Sequence, residues 1–153
     1  MKSSYVLVLA FGLLATPHAA TADVVSDVLK CDSDPCVVSF NSGGEVSTFK
    51  AAAREIKRSG RRVVINGPCL SACAILADEA RGSVCVTKKA RFGFHKGYVL
   101  EQPTAGGPMR FVKRFTPQHS RDIAGWVSKN GGYPNRGFRY MNASAAKHIW
   151  RGC

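Results

Sequence analysis

Between residues 36 and 95, short apolar runs alternate with segments of helical periodicity, and this order constrains the fold more than any other feature of the chain. Cys36-Val37-Val38-Ser39-Phe40 reads as a strand that runs into Asn41-Ser42-Gly43-Gly44. Over residues 46–58, Val46, Phe49, Ala53 and Ile56 recur at helical spacing while Lys50, Arg54, Lys57 and Arg58 lie off that stripe, which predicts a helix stopped by Gly60. Arg62-Val63-Val64-Ile65-Asn66 is the second expected strand and Gly67-Pro68 a turn. Residues 71–80 follow as a small-residue helix with an Ala72, Ile75, Leu76 patch, and residues 84–86 and 91–95 as further strands. Strand, helix, strand, helix, strand predicts an α/β core with a parallel sheet. Residues 101–108 carry Pro103, Pro108, Gly106 and Gly107 without periodicity and are expected to be a loop. A helix is predicted over 117–129, with Ile123, Trp126 and Val127 on one face and Asn130-Gly131-Gly132 at its end, and a last one over 144–150. There is no internal repeat, so residues 23–153 are expected to form one small domain.

The N-terminus sets the expected compartment. Lys2 precedes an apolar run over 5–15, then Pro17 and the small-residue triplet Ala20-Thr21-Ala22, the pattern of a secretory signal peptide spanning 1–22. The run is shorter than the roughly 20 residues that cross a bilayer. No cysteine follows Ala22 directly, so a lipid anchor at a new N-terminus is not indicated. Export, most plausibly to a bacterial periplasm, makes the 6 cysteines (Cys31, Cys36, Cys69, Cys73, Cys85 and Cys153) disulfide formers. Cys31 and Cys36 are expected to close the loop between them, and Cys153 to staple the C-terminus to the Cys69, Cys73, Cys85 group. No paired Cys/His set follows at zinc spacing, so no metal is expected, and no cofactor either.

Chemistry concentrates in three places. Gly43 and Gly44 sit between a strand and a helix, where paired glycines free backbone N–H groups to hold an oxyanion or an anionic ligand. Taken alone, the turn is better explained by a need for positive φ. Ser71, in Gly67-Pro68-Cys69-Leu70-Ser71-Ala72-Cys73, lies between a turn and a helix; such a serine is usually an N-cap, but the same position aims the helix dipole and the Ala72 N–H at a substrate carbonyl. His95 closes the strand Arg91-Phe92-Gly93-Phe94, and histidine is the usual base for an activated serine. His119 and His148 are expected on helix surfaces, and His18 within the leader.

In this order and spacing the three segments resemble the ClpP/crotonase superfamily, in particular the Clp protease proteolytic subunit and its small exported bacterial relatives, over about residues 37–98. The resemblance implies a fold of repeated β-β-α units. It implies oxyanion amides from the Asn41-Ser42-Gly43-Gly44 turn, which lacks the family's proline, a nucleophile at Ser71 and a base at His95. Cys69 to Cys73 and Gly93-Phe94-His95 match strings of the exported relatives. The family's third residue is an aspartate downstream of the histidine; Asp122, the only acid after Glu101, is the candidate here, and a Ser–His dyad can work without it. The chain is shorter than a ring-forming protease subunit, so the ring and its chamber are not carried over.

The 22 Lys+Arg against 10 Asp+Glu give a formal charge of +12. Lys88, Lys89, Arg91, Lys96, Arg110, Lys113, Arg114 and Arg121 gather around the candidate site, with aromatic residues between them. This potential favours an acidic peptide, an anionic envelope component or a lipid surface, and export argues against nucleic acid. Two readings result: a periplasmic serine hydrolase acting on a peptide or other acyl substrate, and an inactive module of the same fold that binds an anionic envelope component or protein partner.

Overall fold

Val63-Val64-Ile65 and Val84-Cys85-Val86 have buried ends and partly buried middles, and the sheet is built around them. In the computed structural model, which describes residues 23–153, they form β2 (Val63–Ile65) and β4 (Val84–Val86). β1 (Cys36–Val38) pairs with β2, and β9 (Arg151–Gly152) with β4, giving a 4-stranded parallel sheet of order β1-β2-β4-β9. The expected leader lies outside the described residues.

Parallel neighbours require crossovers, and helices supply them. α2 (Val46–Ser59) joins β1 to β2 and buries Phe49, Ala52, Ala53 and Ile56. It ends at Gly60, whose φ of 71° and N–H to the Ile56 carbonyl at 3.0 Å form the left-handed cap the sequence predicts. α3 (Ala72–Glu79) packs against α2 and is buried from Ala72 to Ala77, a burial on nearly all sides that its alanines permit. α1 (Val24–Leu29), capped by Asp23 on the Val25 N–H at 3.0 Å, also packs on α2.

A second sheet carries the site. β3 (Pro68–Leu70) runs parallel to β5 (Arg91–Phe94), and β8 (Arg139–Asn142) runs antiparallel to β5 on its other side. The expected Gly67-Pro68 turn is therefore tighter than predicted, because Pro68 already belongs to a strand. Gly67 makes this approach possible, since a Cβ there would lie 1.9 Å from the Ser39 carbonyl oxygen.

Three further expectations are corrected. The helix predicted over 117–129 is α4 (Arg121–Lys129), because Ser120 is extended and its N–H is taken by Asp78 Oδ2 at 2.7 Å. The helix predicted over 144–150 is only α5 (Ala143–Ala146). Beyond it Trp150 is drawn into the core, stacked on Phe92 at 4.1 Å with its indole N–H on the Ala77 carbonyl at 2.9 Å. Finally, the loop expected over 101–108 is the tip region of a ribbon, β6 (Gly97–Glu101) and β7 (Arg110–Phe115), paired antiparallel.

The cysteines pair as Cys31–Cys36, Cys69–Cys73 and Cys85–Cys153. The first closes a local loop and the last ties β9 to β4, as expected; such pairing is compatible with an exported chain. Among the described residues no helix is long and apolar enough to cross a membrane.

Candidate active site

β3 delivers Ser71 to the N-terminus of α3 through a turn in which the serine adopts φ 54° and ψ −122°. A non-glycine residue reaches that region at a cost of about 1–3 kcal/mol, and the surrounding hydrogen bonds hold it there. The Ser71 N–H donates to the Gly93 carbonyl at 2.8 Å, and the Leu70 N–H to the Asn41 carbonyl at 2.9 Å. The Cys69–Cys73 disulfide brackets the turn from both sides. The result is a sharp strand-to-helix elbow that projects the side chain away from the backbone, the geometry a nucleophile needs.

His95 follows β5 directly, and its Nε2 lies 2.7 Å from Ser71 Oγ. The ring is half-buried and set edge-on to Phe138 at 4.8 Å. Burial, and after it the charge of Arg114, hold the imidazole below its ordinary 6.5, against a hydrogen bond with the Lys96 backbone that favours the charged form. At neutral pH the imidazole is therefore neutral and able to accept the serine proton.

The two segments singled out by glycine and serine meet in space. Gly43 has φ 82°, and a Cβ there would lie 2.6 Å from the Leu70 carbonyl oxygen and 2.8 Å from both the Ala72 nitrogen and Ser71 Cβ, so only glycine can lie against the elbow. Its N–H, however, donates to Asn41 Oδ1 at 2.9 Å, so Gly43 shapes the turn and does not offer the free donor expected of it. The amide of Gly44 and that of Ala72 at the start of α3 make no hydrogen bond among the described residues. Asn41 itself is 6% exposed, and its Nδ2 donates to the Val28 carbonyl at 2.6 Å, which anchors α1 beside the turn.

Asp122 goes elsewhere. Its carboxylate is held by Arg81, with Nη1 at 2.6 Å from Oδ2 and Nη2 at 3.0 Å from Oδ1, and by the Ser120 hydroxyl at 2.6 Å. Arg81 above all keeps that carboxyl far below the usual range. The same guanidinium binds Asp78 at 2.6 Å, so Asp122 closes a network between the end of α3 and the start of α4. Among the described residues no carboxylate hydrogen-bonds or ion-pairs with His95. His119 also departs from expectation: its side chain is 2% exposed, edge-on to Phe94, with Nδ1 3.6 Å from Asp78 Oδ2. His148 is exposed in the turn after α5.

No protein-family model and no curated protein matches the chain. What the site can do follows from its own geometry: a serine on a strained elbow, a neutral imidazole in contact with it, and an unspent amide, that of Ala72, next to the serine at the start of α3, with a second at Gly44 in the neighbouring turn. All six cysteines are in disulfides, which leaves no thiolate for a metal, and the described residues hold no group of three or more His, Cys, Asp or Glu that could bind one. Arg114 and Phe138, which tune and pack the imidazole, come from β7 and from the approach to β8; no local motif marks them.

Proposed function

We infer that the chain is a serine hydrolase that transfers acyl groups through a Ser71–His95 dyad on a ClpP/crotonase-like fold. The observation that carries this reading is the 2.7 Å contact between His95 Nε2 and a Ser71 held at φ 54°. The order of the glycine turn, the serine elbow and the strand-closing histidine supports the fold assignment. In the reaction, Ser71 Oγ attacks the substrate carbonyl while His95 Nε2 takes its proton, and the Gly44 and Ala72 N–H groups receive the oxyanion. His95 then protonates the leaving group, and water, deprotonated by the same nitrogen, releases the acyl group and restores the serine. Without a carboxylate on the ring, the Lys96 backbone is the group left to orient the imidazole.

The absence of that carboxylate favours a second reading, an inactive module that binds an anionic envelope component through its basic face, where Lys88, Lys89, Arg91, Arg110, Lys113, Arg114 and Arg121 are exposed. A fluorophosphonate probe separates the two. The hydrolase reading expects covalent labelling of the oxidised protein that Ser71→Ala abolishes and His95→Ala lowers by about 100-fold or more. A folded protein that does not label belongs to the second reading.

A further inference from the structure

The β6–β7 ribbon leaves the body of the molecule two residues after His95 and carries a disproportionate share of its exposed apolar surface. Of the large hydrophobic side chains exposed among the described residues, Tyr98 (53%), Leu100 (43%), Met109 (55%), Phe111 (57%) and Val112 (43%) all belong to this ribbon or its tip.

The register sorts them. Tyr98 lies opposite Arg114 and Val99 opposite Lys113; the pairing then shifts, so that Leu100 lies opposite Phe111 and Val112 is the extra residue of a bulge. Opposed residues share a face of the ribbon, and faces alternate along each strand. One face therefore presents Tyr98, Leu100, Phe111 and Arg114, and the Arg114 guanidinium does lie over the Phe111 ring at 5.3 Å. On the other face Phe115 covers Gly97, and Gly97 and Val99 are half-buried while Tyr98 and Leu100 stand in solvent. The apolar face is thus the one turned outward, and it has no partner among the described residues.

Charge decides what would cover it. Lys96, Arg110, Lys113 and Arg114 accompany the ribbon, with Glu101 alone opposing them. A second copy of the same face would add its own cationic side chains to these, with Glu101 of each on the reverse face, so the contact gains no charge complementarity. An anionic lipid surface satisfies both features at once. The aromatic and aliphatic groups enter the acyl boundary, while the tyrosine hydroxyl and the cationic heads remain among phosphates. We propose that the outer face of the β6–β7 ribbon, built from Tyr98, Leu100, Phe111 and Arg114 and backed by the exposed Arg110 and Lys113 of its reverse face, docks on an anionic phospholipid bilayer. This role does not require Ser71 to be a nucleophile.

The test is co-sedimentation of the protein, purified in the form that cells export, with phosphatidylcholine vesicles that contain either no anionic lipid or about one-third phosphatidylglycerol. Binding is expected to the anionic vesicles alone. It should weaken about fivefold in Arg114→Gln and by less in each of Arg110→Gln and Lys113→Gln on the reverse face, and about tenfold or more in the double variant Leu100→Ser, Phe111→Ser, with circular dichroism unchanged in all of them. Equal binding to neutral vesicles, or none to either, overturns the proposal. So does loss of binding in the charge variants with none in the apolar one, which marks an electrostatic site for any polyanion. A dimer in lipid-free solution that the apolar double variant converts to monomer assigns the face to a second copy instead.

Discussion

Ser71 pays a conformational cost that has no structural purpose unless its hydroxyl must stand where it does. At φ 54° and ψ −122° glycine is nearly free of strain, so Ser71→Gly should raise unfolding stability by about 1 kcal/mol in a denaturant titration while labelling by the fluorophosphonate disappears. A destabilised Ser71→Gly protein would show that the elbow is not strained. His95 makes a second prediction. Attack requires the neutral imidazole, so the labelling rate falls as pH drops through its pKa, and burial together with Arg114 places that midpoint below 6.5. Arg114→Gln removes a positive charge that opposes protonation, so the midpoint should move upward. A pH profile unmoved by that substitution would separate Arg114 from the imidazole.

At the scale of elements, the joint between α3 and α4 is an ionic clasp around the buried carboxylate of Asp78. Asp78, with a side chain 7% exposed, accepts from the Ser120 N–H and hydroxyl and from Arg81, and lies 3.6 Å from His119 Nδ1. Burial opposes its charge, but those hydrogen bonds prevail and hold its carboxyl at about 2, against 3.8 in the unfolded chain. A carboxyl depressed on folding stabilises the native state above its unfolded pKa, and this contribution drains away as pH falls from about 4 through about 2. Asp78→Asn should therefore cost about 2 kcal/mol near neutrality and flatten the acid limb of the stability profile in that window. An acid limb as steep as in the wild type would place the titrating group elsewhere.

The same joint shows what was legible in the sequence. α2 could be read from Phe49, Ala53 and Ile56, and the site residues could be found because paired glycines mark Gly44, a turn before a small-residue helix marks Ser71 and the end of an apolar strand marks His95. The fate of Asp122 could not, since it is decided by Arg81, 41 residues earlier in the chain. β9 is two exposed residues defined only by their partner strand, and β3 begins with a proline that reads as a turn. The ribbon was missed because its bulge at Val112 breaks the alternation and its strands are mostly exposed, so neither signal of a strand is present.

For the whole molecule, the Cys85–Cys153 bridge is the longest-range covalent crosslink, with 68 residues of separation. By chain-entropy reasoning its removal in Cys85→Ala, Cys153→Ala should lower stability by roughly 4 kcal/mol, seen as a shifted urea midpoint. A shift near zero would mean that the Trp150 anchor alone keeps β9 in the sheet. This bridge secures the edge of the parallel sheet, where β9 contributes the last strand beside β4. The order in which strands enter that sheet has a kinetic consequence. Its edge member comes from residues 151–152, far beyond β4 in the chain, so that edge is covered only by a contact of high sequence separation, which forms slowly. Until β9 docks, β4 presents an unpaired edge of the kind that pairs with other chains, and covering it from within the same chain guards the molecule against aggregation.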